Sequence, residues 1–136
     1  MTYRKPTVSF FLQTHSTNPL VTTETIDKAI EVFFSQTEHD ALFSVTEIRQ
    51  RFYWKDGSGV NHDRRVLIRT QDLDPIFHEN SCFYIFSRET NIKTQSRLGD
   101  NPLMFPMDRL EAADIDDMED FYWAEFLLQR RIANAK

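Results

Sequence analysis

Between Thr7 and Thr46 the hydrophobic pattern changes period twice, and that change limits the folds open to this chain more than any other feature. Thr7-Val8-Ser9-Phe10-Phe11-Leu12-Gln13 is a short run of β-branched and aromatic residues that suits a buried strand, and it gives way to a polar loop over Thr14 to Leu20. Thr22 or Thr23 then stands where an N-cap belongs, Glu24 follows in the first turn, and Ile26, Ile30, Phe33 and Phe34 recur at helical spacing. Asp40 to Thr46 restores strand character. A strand, a helix and a second strand at these separations predict a βαβ opening and a parallel sheet covered by helices.

The rest of the chain fits one α/β domain spanning 1–136. Arg51-Phe52-Tyr53-Trp54-Lys55 and Val66-Leu67-Ile68-Arg69 flank Asp56-Gly57-Ser58-Gly59, which reads as a hairpin-like excursion. Its aromatic content suits burial against a partner. Ser81 to Phe86 predicts a third strand, and Leu103 to Met107 a short edge strand, because Pro106 cannot donate to a ladder. A closing helix starts at Asp116 or Asp117, with Phe121, Ala124, Leu127, Leu128 and Ile132 as its inner stripe and Arg130, Arg131 and Lys136 at the end that favours cations.

Composition narrows the function classes. The 136 residues carry a formal net charge of −5, and acids crowd the region from Asp108 to Asp120, which disfavours a phosphate backbone as partner. Arg64, Arg65 and Arg69 form a smaller basic patch, either a solvated face or a contact for an anion. No apolar run approaches the roughly 20 residues of a membrane span. The polar start Met1 to Pro6 lacks a secretory signal, and the single cysteine, Cys82, suits a reducing compartment. A cytoplasmic protein is expected.

Several residues could carry chemistry, each with a plainer alternative. If the backbone is extended at Asp114-Ile115-Asp116, both carboxylates share a side and could hold a divalent ion such as magnesium; they could equally cap the following helix. Gln71 and Asn80 offer donors and acceptors to a hydroxyl-rich ligand, or serve as turn residues beside Asp74-Pro75. Tyr84, four residues after Asn80, is expected on the same strand face. His15 sits in the loop after the first strand, where open α/β sheets tend to bind ligands, and is otherwise an exposed loop histidine. The four histidines and Cys82 show no zinc spacing, and Cys82, inside an apolar strand, is expected to be inert.

Taken in order, four pieces resemble the acylneuraminate cytidylyltransferases (the CMP-sialic acid synthetases) and, more distantly, the Kdo cytidylyltransferases. They are Phe11-Leu12-Gln13 with Thr17-Asn18-Pro19-Leu20, then Phe43-Ser44-Val45-Thr46, then Gln71-Asp72-Leu73-Asp74-Pro75 with Glu79-Asn80-Ser81 and Tyr84, and finally Asp114-Ile115-Asp116 with Asp120 and Ala124-Glu125. The resemblance runs over roughly residues 8 to 129. It implies a partial Rossmann-like nucleotidyltransferase sheet with flanking helices, and transfer of CMP from CTP to a sialic-acid-type nonulosonic acid with release of pyrophosphate. It also implies magnesium on Asp114 and Asp116, which become the catalytic carboxylates. Gln71, Asn80 and Tyr84 would lie around the sugar, with Gln13 or His15 at the family's loop glutamine. The excursion over 50–70 would pair two subunits into a homodimer. The family's Gly/Lys/Arg-rich phosphate loop has no counterpart in this sequence, Val21 stands where an arginine is common, and Thr70 likewise. The expectation is therefore an incomplete cytidylyltransferase-like domain, weakly active or inactive alone; a non-catalytic binding or oligomerisation module is the alternative.

Overall fold

The computed structural model describes residues 8–135. The expected strand residue Thr7, the polar start Met1 to Pro6 and Lys136 lie outside the described residues. Four strands form one mixed sheet: β1 (Phe10–Thr14), β2 (Ala41–Ile48), β3 (Ile76–Ser87) and β4 (Pro102–Pro106), in the order β1-β3-β2-β4. Three α-helices accompany them: α1 (Thr23–Phe34), α2 (Arg88–Thr94) and α3 (Met118–Asn134), and a 3-10 turn spans Thr70–Asp72.

The βαβ opening forms, with one difference from the expected parallel pairing. β1 and β2 are not neighbours; β3 lies between them and runs antiparallel to both, while β4 pairs parallel with β2. Chain order alone does not reveal an insertion of this kind, because the pairing joins residues far apart in sequence. Both helix starts follow local chemistry. Thr22 caps α1 by accepting from Thr25 N, and Asp117 and Asp120 form a reciprocal capping box at α3.

The main core lies between α1 and the sheet, where Ala29 and Phe33 meet Leu42, Phe83, Ile85 and Phe105. A second cluster, Leu20 with Ala124 and Leu127, docks α3 onto the loop after β1, and Ile115 packs against it. On the opposite sheet face Ala41, Tyr84 and Phe86 gather with Phe43 and Leu98. β1 is an edge strand whose consecutive Phe10, Phe11 and Leu12 are all exposed. Phe10 packs edge-on against Phe33 and Phe34 of α1 and Phe11 stacks on Phe86, so among the described residues each face of that edge is partly covered. α3 likewise leaves Phe121, Leu128 and Ile132 of its expected inner stripe exposed, burying only Ala124 and Leu127.

The excursion closes earlier than its apolar flanks suggest. Its ladder joins Phe52–Trp54 to Ser58–Val60 around Gly57, whose φ of +82° demands glycine, and Val66 to Ile68 form no strand. Leu67 is almost fully exposed.

Candidate functional site

The site is built on a break in β3. Pairing with β2 runs from Ile48↔Ile76 to Val45↔Glu79, then resumes at Phe43↔Tyr84, so Asn80 to Phe83 stand opposite Ser44 alone. Ser81 makes this possible by adopting φ +59°, a left-handed conformation that non-glycine residues seldom take. The ladder bonds lost there are replaced by side chains. Asn80 Oδ1 accepts from Ser44 Oγ at 2.6 Å and from Cys82 N at 3.3 Å, while Asn80 Nδ2 donates to Thr46 Oγ1 at 3.0 Å. Ser44 Oγ in turn accepts from Phe83 N at 3.1 Å. Buried polar groups that lose a ladder partner need such replacements.

The bulge also overturns the expectation that Asn80 and Tyr84 share a face. Asn80 engages Ser44 and Thr46, whereas Tyr84 packs with Ala41, Phe43, Phe86 and Leu98 on the other side of the sheet. The extra residues opposite Ser44 break the two-residue alternation on which that expectation rested.

On Tyr84's side a polar cluster gathers at the end of β1. His15 Nδ1 lies 2.6 Å from the carbonyl of Ser81, so it carries the proton and donates, which leaves Nε2, 3.3 Å from Gln13 Nε2, as the acceptor. The Tyr84 hydroxyl donates to Glu79 and lies 3.2 Å from Ser81 Oγ. Burial, and after it the bond to Glu79, hold the Tyr84 phenol above its ordinary pKa, so it remains a neutral donor. Arg97 lies over the Tyr84 ring, 3.7 Å from its centroid, and its Nη2 donates to the Tyr84 hydroxyl at 2.9 Å. The Glu79 carboxylate is 3.9 Å from the same guanidinium nitrogen.

The acidic segment reaches the same end of the sheet by main-chain bonds. Ile115 N donates to Thr17 O at 2.9 Å, two residues beyond His15, and Ile115 turns inward against Leu20 and α3. Asp114 and Asp116 flank it and are both exposed. Asp114 accepts from Ile115 N, and the Asp116 carboxylate makes no hydrogen bond among the described residues. Asp114 is near enough to Cys82 that, after burial, its negative charge helps push the thiol up to about 12. Cys82 is inert, as its apolar strand suggested. Helix capping belongs to Asp117 and Asp120, which leaves Asp116 without a hydrogen bond among the described residues and Asp114 with only that to its neighbour Ile115 N.

Two further facts bear on phosphate and metal binding. The positive end of α1 is already filled: Glu111 Oε2 accepts from Thr22 N at 3.0 Å and from Thr22 Oγ1 at 3.1 Å, and Glu111 Oε1 accepts from Thr25 Oγ1 at 3.0 Å. Among the described residues no group of three or more His, Cys, Asp or Glu side chains is placed to cage a metal. Asp114 and Asp116 are hard oxygen donors of the kind magnesium uses beside phosphates.

The structure thus brings Gln13, His15 and Tyr84 together. Asn80 lies behind them in the frame, and Gln71, exposed on the 3-10 turn, makes no side-chain hydrogen bond among the described residues. Glu79 and Arg97 are the members that sequence reasoning did not select as site residues. A surface groove of about 490 Å³ lies elsewhere, between Asp108–Glu111 and the end of α3. Among the described residues no helix is long and apolar enough to cross a membrane.

No family model matches the chain. It is 30% identical over 123 residues to the post-translational flagellin modification protein B of Campylobacter coli, an alignment covering 87% of this chain and 52% of that protein. It is 26% identical over 119 residues to a pseudaminic acid cytidylyltransferase of Campylobacter jejuni subsp. jejuni serotype O:23/36, covering 83% and 51%. The serotype O:2 protein of the same name is 25% identical over 119 residues. The chain spans about half the length of the curated relatives it matches. These are homologues at low identity, and they include cytidylyltransferases for a nonulosonic acid.

Proposed function

We propose that this chain forms the sugar-acid and metal side of a cytidylyltransferase centre of the acylneuraminate type, serving transfer of CMP from CTP to a nonulosonic acid. The observation that carries the reading is the main-chain bond from Ile115 N to Thr17 O, which ties the acidic segment to the loop that holds His15. His15, Tyr84 and Ser81 present fixed polar atoms, and Asp114-Ile115-Asp116 is bonded to Thr17 in the same loop as His15. Gln13 and His15 offer donors and acceptors suited to sugar hydroxyls, while Tyr84, fully buried with its hydroxyl held by Glu79 and Arg97, backs the cluster from within. Asn80 enters as the anchor of the bulge, and Gln71 as an unanchored side chain that a sugar hydroxyl would have to order.

Asp114 and Asp116 would hold magnesium, which supplies charge stabilisation at a transferring phosphoryl group. With Nδ1–H bonded to the Ser81 carbonyl, Nε2 is the His15 ring nitrogen that would accept a proton from a sugar hydroxyl. The α1 N-terminus offers no berth for a phosphate while Glu111 fills it. On this reading the 136-residue polypeptide alone turns over CTP negligibly.

Calorimetry tests this directly. Pseudaminic acid or N-acetylneuraminic acid should bind in the presence of magnesium, and Asp114→Ala should abolish the magnesium dependence. A polypeptide that binds neither sugar, or binds them with no response to Asp114→Ala, refutes the proposal. The uncovered aromatic residues Phe121, Tyr122 and Trp123 of α3 favour the second reading, an interaction module; that reading predicts self-association or partner capture with no sugar binding.

A further inference from the structure

Arg97 stands in the loop after α2, a segment to which sequence reasoning gave no role, and several contacts fix it there. Gln95 ends α2 in the left-handed conformation, Leu98 packs into the cluster with Ala41, Tyr84 and Phe86, and the Asp40 carboxylate accepts from Asp100 N and Asn101 N, each at 2.9 Å. Thr94 Oγ1 and Ser96 Oγ add bonds to Ser96 N and Leu98 N. A long side chain on a loop so fixed loses less freedom when it takes a ligand. The guanidinium is committed on one face to the Tyr84 ring and through Nη2 to the Tyr84 hydroxyl, while Nε and Nη1 make no hydrogen bond among the described residues. Glu79 balances its charge from 3.9 Å, beyond hydrogen-bond length, and both side chains are more than a third exposed.

On the function proposed above, an acid sugar would enter beside the carboxylates of Asp114, Asp116 and Glu79 and would need a fixed cation. Arg97 is the cation held within the polar cluster, and its stacked, partly free fork suits two-point pairing with a carboxylate. We propose that Arg97 is the specificity-determining residue that reads the carboxylate of the sugar acid, displacing the loose balance with Glu79; this rests on the function proposed above.

The test compares pseudaminic acid and N-acetylneuraminic acid with their methyl esters by calorimetry on the full chain with magnesium. The wild type should prefer the acids. Arg97→Gln should weaken acid binding by roughly 10- to 100-fold, the worth of a charged bidentate pair, and leave ester binding within about threefold. Arg97→Lys, which keeps the charge without the planar fork, should fall between. Glu79→Gln should tighten acid binding, whereas a merely structural partnership of Glu79 and Arg97 would make the same change weaken it. Equal affinity of the wild type for acid and ester, or an equal loss for both in Arg97→Gln and Arg97→Lys, overturns the assignment alone. Binding of none of the four compounds overturns the proposed function as well.

Discussion

Replacing Asn80 by alanine should damage the fold rather than the ligand contacts, and the size of the loss can be worked out from its partners. The substitution removes the acceptor for Ser44 Oγ at 2.6 Å and for Cys82 N at 3.3 Å, and the donor to Thr46 Oγ1 at 3.0 Å. Ser44 retains bonds with the backbone of Phe83, so its hydroxyl is not stranded. The Cys82 N–H has no such reserve in its buried position. An unpartnered buried donor costs about 1–3 kcal/mol, and each of the remaining bonds contributes about 1 kcal/mol. Allowing for partial relaxation, the expected loss is about 3 kcal/mol, on the order of 10 °C in Tm for a chain of this size. Urea denaturation followed by far-ultraviolet circular dichroism is the suitable assay, because Trp54 and Trp123 are both more than half exposed and would report unfolding weakly. Gln71→Ala, at an exposed residue, should stay within about 0.5 kcal/mol. A loss below about 1 kcal/mol for Asn80→Ala would refute the argument that its amide replaces the interrupted ladder.

Four other substitutions have outcomes set by their contacts. Glu111→Ala strips the α1 N-terminus of the carboxylate bonded to Thr22 and Thr25 and should cost about 1–2 kcal/mol in the same denaturation assay, with part of the loss restored by Glu111→Gln. Gly99→Ala combines a φ of +66° with a Cβ driven into the Asp40 carboxyl, so it should cost about 2 kcal/mol and speed amide exchange at Asp100 and Asn101. For pH dependence, the Tyr84 phenol is raised in the folded protein. Its contribution to stability is therefore complete below the ordinary tyrosine value of 10.0 and is lost as pH rises from there through the folded pKa. Tyr84→Phe should flatten that alkaline decline in a pH series of thermal melts. At Asp40, burial raises the pKa, but the N–H groups of Asp100 and Asn101 outweigh it and hold the carboxyl below 3.8. Its contribution is present above that value and lost as pH falls through the folded pKa, a loss that Asp40→Asn should remove from the acid limb.

What was legible in the sequence was what local chemistry decides. Thr22 and Asp117 mark their helix starts because a cap requires only residues three positions apart. The strands at Phe10–Thr14 and Ala41–Ile48 followed from apolar runs of strand length. The insertion of β3 between them did not, since it depends on pairing residues far apart in sequence, from Ile48 with Ile76 to Phe10 with Ser87. α2 escaped notice because Arg88–Thr94 is seven residues with no apolar stripe, held by the Ser87 cap and one buried threonine. The site divided in the same way. Asp114 and Asp116 were visible as paired acids, and His15 as a loop residue after a strand. Arg97 was not, because its partner Tyr84 lies across an unrecognised helix. Ser81 carries no sequence mark of its left-handed backbone, and that one torsion separates Asn80 from Tyr84.

The central claim is that Asp114 and Asp116 face the same ligand space as His15 and Ser81. Paramagnetic broadening by Mn²⁺, a magnesium surrogate, measures this on the full chain in solution. The account predicts that substoichiometric Mn²⁺ broadens the amides of residues 113–117 first, then those of 15–17 and 81–82, with residues 53–60 unaffected. It also predicts that Asp114→Ala with Asp116→Ala abolishes the pattern. Broadening that is spread over the acidic surface from Asp108 to Asp120 without reaching 15–17 or 81–82, or that survives the double substitution, would contradict it.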